Sequence, residues 1–563
     1  MEPILQIKGL SIGFLQDDVL QTATKDISFS LERGEITAIV GESGSGKSVT
    51  ALSMLKLLPR EASIKGEILF SPGTEAPVDI VSLSQRDIKN IRGNKIAMIF
   101  QEPMTSLNPV YSCGYQVMEA LKQHTKLNNR EAKAETIRLF TEVELPDPAG
   151  MLTRYPHQIS GGQKQRVMIA MAMSCQPDIL IADEPTTALD VRVQANILDL
   201  LKKIQKQTGM AVLLITHDLG LVADVAEKII VMYKGQIVEQ GITGEVLSNP
   251  KHNYTKALLA CRPAANIKGR KLAVIKDFMA DNFQVVEATE NKSFTEQEVV
   301  LSVQKLKVYF PVETNILGRP VSFFKAVDDV SFEVKKNEVI GLVGESGCGK
   351  TTLGRTILQL IKPTSGKIFL SGKDITTLST GRLRDIRKDL QIVFQDPYGS
   401  LNPRITIGSA IMEPLQVHQI HKNKKEQKEK AIALLEKVNL EADHFNRYPH
   451  QFSGGQRQRI CIARALAPDP SFLVFDESVS ALDVSVQAQV LNLINELRTA
   501  LNFTSIFISH DLSVVHYISD KIMVMQNGKI VEEGLAENVY NNPVHEYTQQ
   551  MIAAIPGRKL NLF

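Results

Sequence analysis

Short, unbroken apolar runs punctuate this chain, and most of them occur twice. ITAIV (Ile36 to Val40) and VIGLV (Val339 to Val343) are β-rich and too short for helices, so they predict strands buried on both faces. ILIADE, ending at Glu184, and FLVFDE, ending at Glu477, are runs of the same kind closed by two carboxylates. AVLLITHD and TSIFISHD are two more, carrying His217 and His510 near their ends. Between these runs the period changes. SVTALSMLKLL and TTLGRTILQLI space their apolar residues as amphipathic helices, and YSCGYQVMEALKQ and IGSAIMEPLQVH also read as helical. Buried strands alternating with helices predict an α/β fold whose parallel strands deliver polar residues at their C-terminal ends.

The doubling is a duplication. Tyr155 and Tyr448, Asp183 and Asp476, His217 and His510, and Pro250 and Pro543 are each 293 residues apart (448 − 155 for the first pair). A constant offset over such a span means two copies of one domain. The offset drifts where loops are expected. The first copy has nine extra residues between its Gly-rich stretch and Gln101 (101 − 41 = 60, against 395 − 344 = 51), which fit the polar SPGTEAPVD as a longer turn between strands. The second copy is longer around ETNILGRPVSFF. We expect one domain over 1–262, a linker over 263–298 that is partly ordered around KLAVIKDF, and a second domain over 299–563.

Composition narrows the class. The 563 residues allow several domains, and 43% hydrophobic residues allow sizeable cores. Lys and Arg number 64 against 62 Asp and Glu, a net charge of +2, so no global field argues for nucleic acid. Five cysteines without CxxC spacing favour a reducing compartment without a zinc or disulfide framework, and Cys348 reads as a small filler. MEPILQIKGLSIGF has no basic segment leading into a long apolar run, which reads as no signal peptide. No window of about 20 apolar residues is long enough to span a bilayer. The charge run HKNKKEQKEK reads as an exposed helix face, with a lipid or nucleic-acid contact as the rival reading.

The chemistry begins at GESGSGKS (Gly41 to Ser48) and GESGCGKT (Gly344 to Thr351). Each follows a strand-like run, opens a helix and fits GxxxxGK[ST], a loop that turns backbone N–H groups towards phosphate oxygens. Gly41, Gly44 and Gly46, with Gly344, Gly347 and Gly349, let the loop wrap tightly. Lys47 and Lys350 supply a cation to the β- and γ-phosphates, and Ser48 and Thr351 a hydroxyl for Mg²⁺. Asp183 and Asp476 are placed to hold the same ion, and Glu184 and Glu477 to polarise an attacking water. Position and repetition favour a γ-phosphate contact for His217 and His510 over a structural role.

With ISGGQ and FSGGQ the chain resembles the ABC ATPases, as two fused nucleotide-binding domains. The resemblance covers nearly the whole chain apart from the linker. It implies two tandem P-loop domains, each a RecA-like α/β core with an antiparallel β subdomain and a helical signature subdomain. The signature residues are Ser160, Gly161, Gly162 and Gln163, and Ser453, Gly454, Gly455 and Gln456. The family's Q-loop matches Gln101 and Gln395, catalytic and Mg²⁺ candidates; its D-loop matches Ala188–Asp190 and Ala481–Asp483. The adenine-stacking aromatic corresponds to Phe14 and Phe310, with Tyr309 a rival for the second and a plain core role open to all. Family members pair their domains head to tail, which implies that the SGGQ of one domain caps the γ-phosphate held by the other. Both copies possess the full residue set, so both are expected to hydrolyse ATP. One departure is Ser478, where the first copy has Pro185, a change expected to loosen the turn after Glu477.

Finer habits, FQ[ED]P..SLNP, YPHQ[IF]SGGQ[KR]QR and the tails HNYT and HEYT, resemble the peptide/nickel import family. That likeness implies an ATPase at the cytoplasmic face of a bacterial plasma membrane. It implies two permease subunits as partners, an extracytoplasmic substrate-binding protein acting through them, and peptide-like cargo. The rival readings are a soluble twin-ABC protein acting on ribosomes or DNA, and a nucleotide-binding scaffold without turnover. The H.YT tails suggest either helix docking or regulation.

Overall fold

The computed structural model describes residues 3–16, 19–73, 76–101, 106–186, 189–263, 270–279, 298–314, 320–421, 423–480 and 482–557. The chain divides into two compact units, one of Met1–Leu259 with Ile275–Asn282 and Pro556–Phe563, the other of Ala260–Val274 with Phe283–Ile555.

In the first unit the apolar runs become the centre of a six-stranded sheet. Its order is Gln236–Ile242, Lys228–Tyr233, Ile36–Val40, Ala211–Thr216, Ile179–Asp183 and Ile96–Ile99. All neighbours are parallel except the first pair. Every residue of Ile36–Val40, Ile179–Asp183 and Ala211–Thr216 is buried, the burial expected of parallel strands covered on both faces. A four-stranded antiparallel sheet, ordered Val19–Leu31, Leu5–Gln16, Ala62–Phe70 and Val78–Asp79, packs with it around one core that includes Leu10, Ile39, Met54, Ile181 and Ile215. Each such buried side chain contributes about 1.5–3 kcal/mol relative to exposure.

The second unit repeats the plan with Leu390–Val393, Phe472–Asp476, Thr504–Ser509, Val339–Val343, Lys521–Gln526 and Lys529–Leu535. Its antiparallel sheet uses Pro320–Lys335, Val299–Thr314, Ser365–Leu370 and Lys373–Asp374. The unit also includes part of the expected linker: the Asn492 amide exchanges hydrogen bonds with both backbone groups of Leu272, at 2.9 and 2.8 Å, and the Tyr517 hydroxyl donates to the Arg270 carbonyl at 2.8 Å. Ile275–Met279, which takes in the end of KLAVIKDF, forms a short helix that belongs to the first unit.

A helical segment separates each Q-loop from SGGQ. In the first unit it runs through Cys113–His124, Asn129–Glu142 and Pro148–Met151 to Gly161–Met173; Ser112 and Asn128 cap the first two, the latter in a box with Glu131. The counterpart uses Ile407–Val417, Lys424–Lys437 and Gly454–Leu466. The charge run enters Lys424–Lys437, where Lys424, Lys425, Lys428 and Glu429 are exposed while buried Gln427 donates back to the carbonyls of Ile420 and His421.

The nine extra residues are distributed differently from the sequence expectation. Phe70 pairs with Leu5 as Leu370 pairs with Leu301, and the turn that follows is longer by five (78 − 70 = 8, against 373 − 370 = 3). Three more precede Gly66 (66 − 41 = 25, against 366 − 344 = 22), and one follows Asp79. The polar stretch therefore takes only part of the insertion, because the exit from the helix after the Gly-rich loop also lengthens.

Candidate active sites

Each Gly-rich loop ends in a glycine with left-handed backbone, Gly46 at φ 97° and Gly349 at φ 110°, which starts the helices Lys47–Met54 and Lys350–Ile357. A Cβ at Gly46 would lie 2.7 Å from Thr24 Cγ2, and one at Gly349 only 2.0 Å from the Ala326 carbonyl oxygen, so neither position has room for a side chain. The two lysines are buried. Lys47 Nζ donates to the carbonyls of Gly41 and Glu42 at 2.7 and 2.8 Å, and Lys350 Nζ to those of Gly344 and Glu345 at 2.7 and 2.9 Å. A concave loop, a helix N-terminus and a lysine together form an arrangement that can cradle a phosphate. Cys348 is buried within its loop, and burial pushes its thiol up against the opposing pull of Lys350, so it is a packing residue rather than a ready thiolate.

Opposite each loop the buried strands Ile179–Asp183 and Phe472–Asp476 present their carboxylates. Ser48 Oγ donates to Asp183 Oδ1 at 3.2 Å, and Thr351 Oγ1 to Asp476 Oδ1 at 3.0 Å. Burial raises both aspartates above the ordinary carboxylate range, with the hydroxyl hydrogen bond acting the other way. Arg355 Nε also stands 4.0 Å from Asp476. One residue on, Glu184 and Glu477 take left-handed backbone, φ 47° and 48°, their N–H groups held by the carbonyls of Ile215 and Ile508 at 2.9 and 3.0 Å. Two non-glycine residues in this region, at matched places in both copies, mark a backbone strain that the surrounding strands hold in place.

The strain aims each glutamate at two partners. Gln101 Nε2 donates to Glu184 at 3.1 Å and Gln395 Nε2 to Glu477 at 2.9 Å. His217 Nδ1 lies 3.4 Å from Glu184, and His510 Nδ1 3.5 Å from Glu477. Burial acts to raise Glu477, but the hydrogen bond and charge of His510, with Lys350, outweigh it and hold the carboxyl below its ordinary range. A carboxylate kept ionised between an amide and an imidazole can take a proton from water. The change from Pro185 to Ser478 leaves the φ of the preceding glutamate the same, so the turn keeps its shape there; the Ser478 hydroxyl is buried and has no partner among the described residues.

The SGGQ segments begin the helices Gly161–Met173 and Gly454–Leu466 with capping boxes. Ser160 Oγ accepts from Gln163 N at 3.3 Å while Gln163 Oε1 accepts from Ser160 N at 3.0 Å; Ser453 and Gln456 do the same at 3.4 and 3.0 Å. The serine oxygen is thus an acceptor towards its own helix, which leaves the hydroxyl hydrogen as donor. The glycines have separate tasks that the motif did not disclose. A Cβ at Gly162 would meet Val193 at 2.7 Å and one at Gly455 would meet Val486 at 2.2 Å, so the second glycine is needed for packing; Gly161 and Gly454 have ordinary clearances of 3.4 and 3.9 Å. Of the D-loops, Ala188 and Ala481 lie outside the described residues; Asp190 caps the helix Val191–Thr208 by accepting from Val193 N at 3.0 Å.

The aromatic candidates differ in surroundings. Phe14 is half-buried against the first core, whereas Phe310 is exposed. Tyr309 hydrogen-bonds through its hydroxyl to Asp328 and sits under Lys325 Nζ at 5.6 Å from the ring centre. The free ring surface at this place belongs to Phe310.

Comparison with known proteins identifies the family. Residues 24–187 and 327–480 match the ABC transporter family, and residues 238–288 and 531–559 match the oligopeptide/dipeptide transporter C-terminal region. The chain is 45% identical over 559 residues to the glutathione import ATP-binding protein GsiA of Pectobacterium atrosepticum, covering 98% of this chain and 89% of that one. It is 45% identical over 560 residues to the GsiA of Escherichia coli strain K12, with the same coverage. It is 46% identical over 561 residues to that of Salmonella typhimurium, again covering 98% and 89%. Two intact cassettes, each followed by the same C-terminal extension, place the chain in one family: it is an ABC transporter ATP-binding protein with tandem nucleotide-binding domains, of the oligopeptide/dipeptide branch.

Proposed function

We propose that this chain is the ATP-hydrolysing, energy-coupling subunit of an importer for peptide-like compounds, with glutathione the first candidate because its relatives are named for glutathione import. The observation that carries the reading is the recurrence, in both units, of a Gln–Glu–His cluster beside a hydroxyl–aspartate pair at the mouth of a Gly-rich loop. Lys47 and Lys350 leave their parking carbonyls for the β- and γ-phosphates of ATP. Glu184 and Glu477 polarise the attacking water and take its proton, while His217 and His510 orient each carboxylate and reach the γ-phosphate. The pairing implied by family resemblance brings Ser453–Gln456 to the nucleotide of the first domain and Ser160–Gln163 to that of the second.

The donor set suits Mg²⁺. Ser48 and Thr351 place hydroxyls on Asp183 and Asp476, hard oxygen ligands whose burial favours a cation beside them, while Gln101 and Gln395 donate to the adjacent Glu184 and Glu477. When bound with ATP, the ion neutralises phosphate charge.

Among the described residues no helix is long and apolar enough to cross a membrane. The likeness to import ATP-binding proteins supports work at the inner face of the plasma membrane through two permease subunits, with a substrate-binding protein outside. In this reading residues 1–262 and 299–563 are the two domains and 263–298 the linker. Recovery of the tagged chain from gently solubilised membranes tests the reading: two hydrophobic permeases and glutathione-stimulated ATPase activity are expected. Ribosomes or DNA in their place, or no ATPase activity in the assembled complex, overturn it.

A further inference from the structure

The H.YT tails reach back to the phosphate cradles. In the first unit Tyr254 is fully buried, and its phenolic oxygen accepts the backbone N–H of Glu42 at 2.9 Å, across 212 residues of sequence. In the second, Tyr547 accepts the N–H of Glu345 at 3.0 Å, across 202 residues. Glu42 and Glu345 are the second residues of the two Gly-rich loops. The N–H that each tyrosine takes belongs to the same peptide unit whose carbonyl, that of Gly41 or Gly344, accepts Lys47 or Lys350 at 2.7 Å. One face of that peptide is thus held by the phenol and the other by the phosphate-binding lysine.

The rest of the motif keeps the phenol in place. His252 Nδ1 accepts from Tyr254 N at 3.1 Å, and His545 Nδ1 from Tyr547 N at 3.2 Å, which fixes the start of each tail helix. Glu239 accepts the N–H groups of Lys251 and His252 at 2.8 and 3.1 Å, and Glu532 those of Val544 and His545 at 2.8 and 3.1 Å. The tail is therefore bolted to the last strand of the sheet, and its tyrosine to the loop.

We propose that Tyr254 and Tyr547 are positioning residues for nucleotide binding. They turn the Gly41–Glu42 and Gly344–Glu345 peptides so that the N–H faces the tail and the carbonyl faces the lysine, and so hold each loop in the shape that receives a triphosphate. The C-terminal extension thereby sets its own domain's affinity for ATP. This rests on the ATP-binding reading of the loops.

The test uses the full chain in its permease complex, with Tyr254→Phe, Tyr547→Phe and both together, since phenylalanine keeps the ring and removes the acceptor. For the double variant the KM for ATP rises about three- to tenfold, the size of one lost hydrogen bond per site. The kcat stays within about twofold, while the melting midpoint falls by only about a few degrees, the cost of leaving one loop N–H without its acceptor in each domain. A KM unchanged in folded variants overturns the proposal. So does a fall in kcat that tracks a fall in melting midpoint, which is what a merely structural role gives. Should Tyr254→Phe fail to fold, Tyr547→Phe alone decides the matter in the other domain. Lys47→Ala with Lys350→Ala is the separate control: ATP binding like wild type in that variant refutes the loops as nucleotide sites, a failure distinct from that of the tyrosines.

Discussion

In the first unit Thr255 Oγ1 donates to Glu239 at 2.6 Å; in the second the matching Thr548 hydroxyl is buried and has no partner among the described residues. The Tyr233 ring packs tilted against that of Tyr254 with ring centres 4.3 Å apart, whereas the corresponding position of the second unit is Gln526. Arg355 lies near Asp476, but Leu52 stands at its place in the first copy. Against these differences the Gln–Glu–His clusters coincide to within a few tenths of an ångström. The duplication has thus drifted in what fastens and flanks each site, while the Gln–Glu–His cluster has stayed the same in both copies. That pattern fits two working centres rather than one centre and one relic.

The largest test of this equivalence is Glu184→Gln against Glu477→Gln. The double variant is expected to lose about 10²–10⁴-fold in turnover, the range for removal of a general base. Each single variant should lower ATP hydrolysis by a comparable share; one silent variant and one dead one would break the comparison. Next come the loop glycines. Gly349→Ala meets a backbone oxygen at 2.0 Å and Gly46→Ala first meets a side-chain methyl at 2.7 Å. Strain of at least about 1–3 kcal/mol is expected at Gly349, with less at Gly46, as read from chemical denaturation of the full chain.

The tails sharpen the comparison further. Thr255→Val removes a hydrogen bond to a carboxylate and should cost about 1.5–3 kcal/mol, whereas Thr548→Val removes a hydroxyl with no partner and should be neutral or stabilising. Equal losses in thermal unfolding would erase the distinction. The smallest effect is expected of Ser478→Pro. The glutamate before it already has the backbone that Pro185 tolerates in the first copy, so a gain of about 0.4–1 kcal/mol is expected with unchanged KM.

The strands Ile36–Val40 and Val339–Val343 and the helices after them were legible because period and length leave one reading. The Ser–Asp and Thr–Asp pairs were legible because two motifs at strand ends must converge on one sheet edge. The insertion was only partly legible, since three of its residues entered a helix exit that carries no distinctive polar signal. The left-handed backbone at Glu184 and Glu477 left no trace, because glutamate is not a residue that announces positive φ. The separate tasks of the two SGGQ glycines depend on Val193 and Val486, whose approach only folding reveals. The tyrosine of H.YT was conspicuous as a repeat, but its partner lies more than 200 residues away, beyond any local pattern.

Cys348 has one consequence for anyone who wants to watch the molecule move. Because Cys348 is buried in the second Gly-rich loop, alkylation of its sulfur is expected to quicken as that loop loosens, and the serine at the same place in the first loop, Ser45, offers no thiol. With the half-buried Cys175 replaced, the labelling rate at Cys348 becomes a clock for breathing of one cradle alone, read from a duplicated machine without installing a probe.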